Sequence, residues 1–219
     1  IILPTLNRVH LFEKVINNIT NQYYQNWELI IIDDGSAVPQ YNKKKNIVDS
    51  LNNKKIYFYC NDKNMKIPYT LNRGISLSNG EYITWISDDN EYYEDFLEYL
   101  IPTHNEEFSY SCFDFKYKNH KKIRIQKRYK NINDLLKNFA GLGSFMWKKS
   151  YLDKIGLYNE NLFCIEDYEM LLRTFINTKE IKYFPRSLML YNRHNDTLSM
   201  KYEKYIYNCL KCNLLYLMV

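Results

Sequence analysis

Residues Leu29-Ile30-Ile31-Ile32 form an unbroken apolar run that stops abruptly at Asp33-Asp34-Gly35-Ser36. Four consecutive apolar residues, three of them β-branched, suit a strand that is buried on both faces. Strands of that kind belong to parallel sheets covered by helices, because a half-exposed hairpin strand alternates apolar with polar residues. Two acids, a glycine and a serine then mark a turn. In an open parallel sheet ligands bind at the carboxyl ends of the strands, so this acidic turn is placed where a site would form.

The flanking pattern agrees with a mostly parallel α/β sheet. Ile1 to Leu3 reads as a short strand ended by Pro4. Leu11, Phe12, Val15, Ile16 and Ile19 have helical spacing. A polar helix is expected from Tyr41 to Leu51, a strand from Ile56 to Tyr59 and a helix from Thr70 to Leu77. Glu81 to Ile86 reads as another strand, and it runs into Ser87-Asp88-Asp89-Asn90. An acidic, aromatic helix (Tyr92 to Leu100) and a strand (Ser109 to Phe115) follow. Strand–helix alternation of this kind builds a parallel sheet with helices on its faces. The second half is mixed: a turn at Gly141-Leu142-Gly143-Ser144, a strand at Phe145-Met146-Trp147, helices at Tyr151 to Ile155 and Glu166 to Ile176, and strands at Ile181 to Phe184 and Leu188 to Tyr191. Lys201 to Val219 reads as a final helix, and no internal repeat is visible.

Length and composition set the class. A chain of 219 residues with 46% hydrophobic and 25% charged residues can bury a full core as one domain. Within it we expect a first half (1–100), a second half (101–199) and a C-terminal helix (200–219), with both ends cut from a longer protein. The net charge of +5 is mild and no dedicated nucleic-acid surface is expected. Five cysteines at irregular spacing argue against a disulfide framework and for a reducing, cytoplasmic setting. Cys209 and Cys212 form a CxxC without a second pair, which favours burial over zinc. Residues 116–130 hold eight Lys or Arg and no acid. Ile123 and Ile125 alternate with charges there, so an exposed basic hairpin is expected. A solvated edge that discourages strand pairing is the favoured reading, and attraction of an anionic acceptor or a membrane surface is the alternative.

The second acidic cluster, Asp88-Asp89, also follows a strand. Hard divalent cations such as Mg²⁺ or Mn²⁺ bridge carboxylates to diphosphates, and adjacent acids near a buried strand need such neutralisation. Taken alone, Asp-Asp is as readily a cap on the next helix.

Six segments in order change that balance. They are Ile2-Leu3-Pro4-Thr5-Leu6-Asn7-Arg8, Trp27 to Ser36, Leu71-Asn72-Arg73-Gly74, Gly80 to Asn90, Gly143 to Lys148, and Gly156-Leu157-Tyr158-Asn159-Glu160 leading to Glu166-Asp167-Tyr168-Glu169. With Tyr191-Asn192-Arg193-His194 and Leu198-Ser199 they resemble the family 2 glycosyltransferases of the GT-A fold, from Ile1 to about Ser199. The Ser-Asp-Asp-Asn segment is most similar to the spore-coat polysaccharide type. The resemblance implies a Rossmann-like, mostly parallel central sheet flanked by helices, with a smaller mixed sheet on the acceptor side. It implies inverting transfer of a sugar from a nucleoside diphosphate, with UDP the expected one, to a hydroxyl on a glycan, lipid-linked or protein acceptor.

The resemblance also implies roles. Asp34 would contact the uracil, with Pro4, Thr5, Asn7, Arg8, Asn64 and Arg73 around the nucleotide. Ser87 and Asp88 would contact the ribose side, and Asp89, Asp88 and His194 the Mn²⁺ or Mg²⁺ ion. Arg193 would pair with the diphosphate, as guanidinium matches phosphate geometry. Asp167 would be the general base, with Glu166 and Trp147 on the acceptor side. Ser87 stands where many relatives carry an acid, so the metal would have one carboxylate fewer. A nucleotidyltransferase would show a Gly- and Lys/Arg-rich loop after the first strand, and Leu6 to Leu11 has none. A dinucleotide-dependent oxidoreductase would show GxGxxG there. A non-catalytic sugar-nucleotide-binding module is the remaining alternative.

Overall fold

The computed structural model describes residues 1–101, 110–119, 122–126, 131–137, 145–178, 181–193 and 202. The first layer is built from β1 (Ile2–Thr5), α1 (Val9–Thr20), β2 (Leu29–Asp33), α2 (Val38–Leu51), β3 (Ile56–Cys60) and α3 (Ile67–Leu77). The strands lie in the order β1-β2-β3 and all pairs are parallel. Their register aligns Thr5 with Asp33 and Asp33 with Cys60, which gathers three functional groups at one carboxyl edge.

Every residue of β2 is buried, as its apolar run requires. Strand alternation sends Leu3 and Ile31 to one face and Ile2 to the other. On the first face α1 buries Phe12, Val15, Ile16 and Ile19, each worth roughly 1.5–3 kcal/mol against exposure. On the second face α3 comes so close to β1 that a Cβ on Gly74 would stand 2.5 Å from Ile2 Cγ2. Only glycine permits that approach.

Pro4 does not end β1. It pairs with Ile32 inside the strand. Odd residues of β1 bond to β2, as in Ile30 N–H to Ile1 O and Asp34 N–H to Thr5 O. Even residues face the other way, where Ile2 bonds Thr84 O and Ile86 N–H, both at 2.9 Å. Pro4 therefore needs no N–H toward β2, and it stops the pairing on its other side.

The stretch expected as a single strand from Glu81 to Ile86 is divided between two sheets. β4 (Tyr82–Ile83) pairs antiparallel with β8 (Phe145–Lys148), while Trp85 forms a parallel bridge with Ile2. The second sheet contains β4, β5 (Glu91–Tyr92), β6 (Tyr110–Asn119), β7 (Lys122–Gln126), β8 and β9 (Ile181–Arg193). Its order is β4-β8-β6-β9-β5, with β7 on β6. It is mixed, and it carries more strands than the parallel layer, two of them only two residues long. The helices around it are α4 (Phe96–Leu100), α5 (Ile132–Lys137), α6 (Lys149–Ile155) and α7 (Glu166–Asn177).

Two further differences have local causes. The expected helix from Tyr92 begins only at Phe96, because Tyr92 is buried in β5 opposite Met189. The two strands expected over 181–191 are one strand, β9. Its register against β6 jumps from Phe113–Phe184 to Asp114–Ser187, around Pro185, which cannot donate to the ladder. The basic segment does start as a hairpin, with β6 and β7 in register from Phe115–Gln126 to Asn119–Lys122. The turn at 141–144, Cys209, Cys212 and the helix expected over 201–219 lie outside the described residues. No helix among the described residues is long and apolar enough to cross a membrane.

Candidate active site

The carboxyl edge of β1 and β2 is organised by a buried lysine. Lys44 of α2 and Asp33 are both 0% exposed, and their charged atoms are 2.5 Å apart. The Lys44 ammonium also donates to Ser36 Oγ at 2.9 Å and to Thr5 Oγ1 at 3.3 Å. An ammonium has no acceptor, so the Thr5 oxygen must accept and its single proton is free to go elsewhere. It goes to Asp88 Oδ2, 3.1 Å away. Asn7, in the left-handed region at φ 54°, ties the two turns together. Its N–H donates to Ser36 Oγ, and its Oδ1 accepts from Ala37 N–H.

Asp88 and Asp89 follow the segment that lies beside β1. One nitrogen of Arg8, Nη1, stands 2.9 Å from Asp88 Oδ1 and 2.9 Å from Asp89 Oδ2. Burial pushes the Asp88 carboxyl up, against the lowering pull of Arg8. Burial also opposes the charge of Arg8, but the two carboxylates outweigh it and hold the guanidinium more basic than usual. Ser87 takes a supporting place. Its Oγ donates to Asp89 Oδ1 at 2.5 Å, and its N–H donates to the Tyr92 hydroxyl at 2.9 Å. From the far side, Asn192 Nδ2 donates to Asp89 O, and Asn192 N–H donates to Asn90 Oδ1. Two carboxylates spanned by one cationic group form a hard-oxygen donor set, which fits Mg²⁺ or Mn²⁺.

Asp34 is 4% exposed and accepts three hydrogen bonds, from Asn61 Nδ2, Met65 N–H and Lys66 N–H. It thus clamps the 61–66 loop. Arg73 donates to Cys60 O and Asn61 Oδ1, and Asn64 Oδ1 caps the Lys66 N–H. Gly35, at φ 77°, lets the turn pass: a Cβ there would meet the Lys63 carbonyl carbon at 2.5 Å.

The start of α7 buries Glu166 and Asp167, at 8% and 3% exposure. Burial raises the Glu166 carboxyl, against the backbone N–H groups of residues 164–166. Its Oε2 is buried and has no hydrogen-bond partner among the described residues. The Tyr158 hydroxyl accepts from Trp85 Nε1–H at 3.1 Å, and burial, with the Asp167 charge second, holds the phenol well above its ordinary range. Trp85 lies three residues before Asp88, so Tyr158 is tied to the segment that carries the acidic pair.

Trp147, expected on the acceptor side, is packed in the core. It is 1% exposed, its indole N–H donates to Thr174 Oγ1, and its ring packs 4.1 Å from that of Phe145. Its ring is part of the core beside the site. Arg193 closes β9, where its backbone pairs with Asn119; its side chain and His194 lie outside the described residues. Among the described residues no group of three His, Cys, Asp or Glu could hold a metal, so Asp88 and Asp89 stand as a pair. The sequence pattern did not single out Lys44, which sits in the run Lys43-Lys44-Lys45. The available signal was its position four residues before buried Val48, on the inner face of α2.

A parallel sheet with acidic turns at its carboxyl edge, joined through one shared segment to a mixed sheet, defines a GT-A glycosyltransferase fold. TarS of S. aureus, solved in complex with UDP-GlcNAc, superimposes with a TM-score of 0.75 at 16% identity, over 91% of this chain and 59% of that one. The mannosyltransferase PcManGT from Pyrobaculum calidifontis, solved with GDP-Man and Mn²⁺, gives 0.66 at 15% identity, over 87% of this chain and 55% of that one. The sequence model described as glycosyl transferase family 2 matches residues 1–178, and the chain belongs to that family. A putative colanic acid biosynthesis glycosyl transferase, WcaA of Escherichia coli K12, is 28% identical over 191 residues, 82% of this chain and 67% of the relative.

Proposed function

We propose that this chain transfers a sugar from a UDP-sugar to a hydroxyl of a glycan, a lipid-linked glycan or a protein, with inversion and with a divalent cation. The observation that carries the reading is the convergence of Thr5, Arg8, Asp88 and Asp89 on one edge of the sheet. The ligands named for TarS and PcManGT, a nucleotide sugar in each and Mn²⁺ in one, support it.

Asp89, with Asp88, would hold the cation, and Ser87 orients Asp89 in place of a third acid. A bound Mn²⁺ or Mg²⁺ supplies Lewis-acid stabilisation of the departing diphosphate. Arg8 leaves the carboxylates as that charge arrives and pairs with phosphate oxygens, a bidentate match for guanidinium. Asp34 receives the uracil N3–H on a lone pair that its three loop donors leave open, with the 61–66 loop as the wall of the base pocket. Asn7 and Asn64 hold the two turns that frame it, and Arg73 holds Asn61. By the family resemblance Arg193, the last residue of β9, would pair with the diphosphate, and His194 would join the cation. Asp167 takes the proton of the acceptor hydroxyl, and the oxygen attacks the anomeric carbon as the bond to the diphosphate breaks. Glu166 binds the acceptor through its uncommitted Oε2.

The test is release of nucleotide from a panel of UDP-sugars and GDP-mannose with Mn²⁺, water serving as acceptor. Asp89→Ala abolishes release. Asp167→Asn abolishes release and keeps UDP affinity. Release at the wild-type rate in Asp167→Asn would overturn the base assignment.

A further inference from the structure

Lys44 lies beneath the site and is out of reach of any ligand, since its side chain is 0% exposed. It sets a full charge on the inner face of α2, 5.9 Å from the centre of the Phe12 ring. Three oxygens stand around its ammonium. They are Asp33 Oδ2 at the end of β2 (2.5 Å), Ser36 Oγ in the following turn (2.9 Å) and Thr5 Oγ1 at the end of β1 (3.3 Å). The Thr5 hydroxyl thus has on one side a group that can only donate. On its other side, 3.1 Å away, is Asp88 Oδ2. A hydroxyl has one proton, so the ammonium leaves it a single direction. Thr5 is 3% exposed and Asp88 6%, and water hardly competes for that bond. Among the described residues the Asp88 side chain has one other hydrogen-bond partner, Arg8 Nη1 on Oδ1 at 2.9 Å. Once Arg8 turns to phosphate oxygens, Thr5 is the hold on this carboxylate that remains among those residues.

We propose that Lys44 is a positioning residue for Asp88: it fixes the Thr5 hydroxyl as a donor, and that hydroxyl fixes Oδ2 of the carboxylate. Oδ1 of Asp88 then stays aimed, with Oδ2 of Asp89, at the one point where Arg8 Nη1 stands in the ligand-free protein. The inference rests on Asp88 and Asp89 holding the cation. No bond to substrate is assigned to Lys44, and no proton is transferred by it. Stability alone does not account for a lysine here, since a buried ion pair is on balance no better than an apolar pair of similar volume. Such a pair would fill the same space. It would leave the Thr5 oxygen without a donor, and the hydroxyl could turn away from Asp88. Donation into that oxygen also polarises the O–H and strengthens its bond to the carboxylate.

The experiment uses the paired change Lys44→Met with Asp33→Asn, Thr5→Val, Thr5→Ser, the triple combination of the pair with Thr5→Val, and Asp89→Ala, all in the full chain. Titration calorimetry reads Mn²⁺ affinity without nucleotide and with saturating UDP, and thermal melts read folding. The paired change removes one charge of each sign, so the summed charge near the cation is unchanged. It melts near wild type and binds Mn²⁺ about threefold to tenfold more weakly, the worth of one hydrogen bond. Thr5→Val keeps the buried pair intact and loses the same factor, whereas Thr5→Ser keeps the hydroxyl and stays at the wild-type affinity. The triple combination is no weaker than Thr5→Val, because the lysine acts only through that hydroxyl. A lysine with a purely structural role would not give this pattern. If the paired change binds Mn²⁺ as tightly as wild type while Thr5→Val and Asp89→Ala are weaker, the positioning role is wrong and the acidic pair stands. If Thr5→Val binds as tightly as wild type, or the triple combination loses more than Thr5→Val, the relay is overturned. If wild type takes up no Mn²⁺ in either state, or Asp89→Ala takes it up as tightly, the cation reading itself fails.

Discussion

The buried pair of Lys44 and Asp33 gives the most quantitative prediction. Lys44→Met keeps most of the side-chain length and apolar stem but removes the ammonium. Asp33 then keeps the Ser36 N–H at 2.7 Å and has lost its counter-ion in a site that is 0% exposed. Removing one partner of a buried pair costs about 3–5 kcal/mol, because the other charge stays desolvated. For a chain of this size each kcal/mol lowers the melting temperature by about 2–4 °C, so the expected drop is about 6–20 °C. Adding Asp33→Asn returns most of it, since replacing both charges by neutral groups is close to neutral. Thermal melts followed by circular dichroism, all at one neutral pH, measure the four corners of this cycle. A loss below about 1 kcal/mol in Lys44→Met would refute the reasoning. So would a double variant less stable than the sum of the two changes. The same substitution frees the Thr5 hydroxyl from Lys44, so the surviving folded protein binds UDP more weakly.

Two other perturbations test the charges around the site. Arg8→Ala tightens Mn²⁺ binding to the nucleotide-free protein by about tenfold, the worth of one charge-assisted hydrogen bond; titration calorimetry without nucleotide reads it, and an unchanged or weaker affinity contradicts the placement of Arg8 across Asp88 and Asp89. Glu166 is raised above its ordinary value of 4.5, first by burial, so its contribution to stability is full below that pH and is lost as pH rises through the folded-state value. Glu166→Gln therefore raises the melting temperature near pH 8 and leaves it unchanged near pH 4, and equal gains at both would refute the assignment.

Much of this was legible from local pattern. The apolar run before Asp33 could only be a doubly buried strand, and the spacing from Phe12 to Ile19 could only bury one face of a helix. Asp34, Asp88 and Asp167 could be located by strand ends and a helix start. What the pattern could not carry was partnership between distant residues. Tyr82 and Trp85 are three residues apart, and nothing in their identity says that they join different sheets. Lys44 looks like its two lysine neighbours until Asp33 and Thr5 are placed beside it. The resemblance puts Trp147 on the acceptor side, and nothing in the sequence shows that Phe145 and Thr174 pack around its ring and its indole N–H.

The division of one segment between two sheets bears on the order in which the molecule is made. A ribosome delivers residues 1–60 first, and the three parallel strands can then assemble from neighbours in sequence. The acidic pair at 88 and 89 cannot reach its final setting at that stage. Tyr82 waits for Lys148, Glu91 for Leu190, and the carbonyl of Asp89 for Asn192. Contacts that close loops of about a hundred residues form late and slowly. A nascent chain cut before β9 would hold its 61–66 loop on Asp34 while its Asp88–Asp89 turn stayed loose. The acidic turn is in this sense completed late, although its own residues precede by about a hundred positions the strand that completes it.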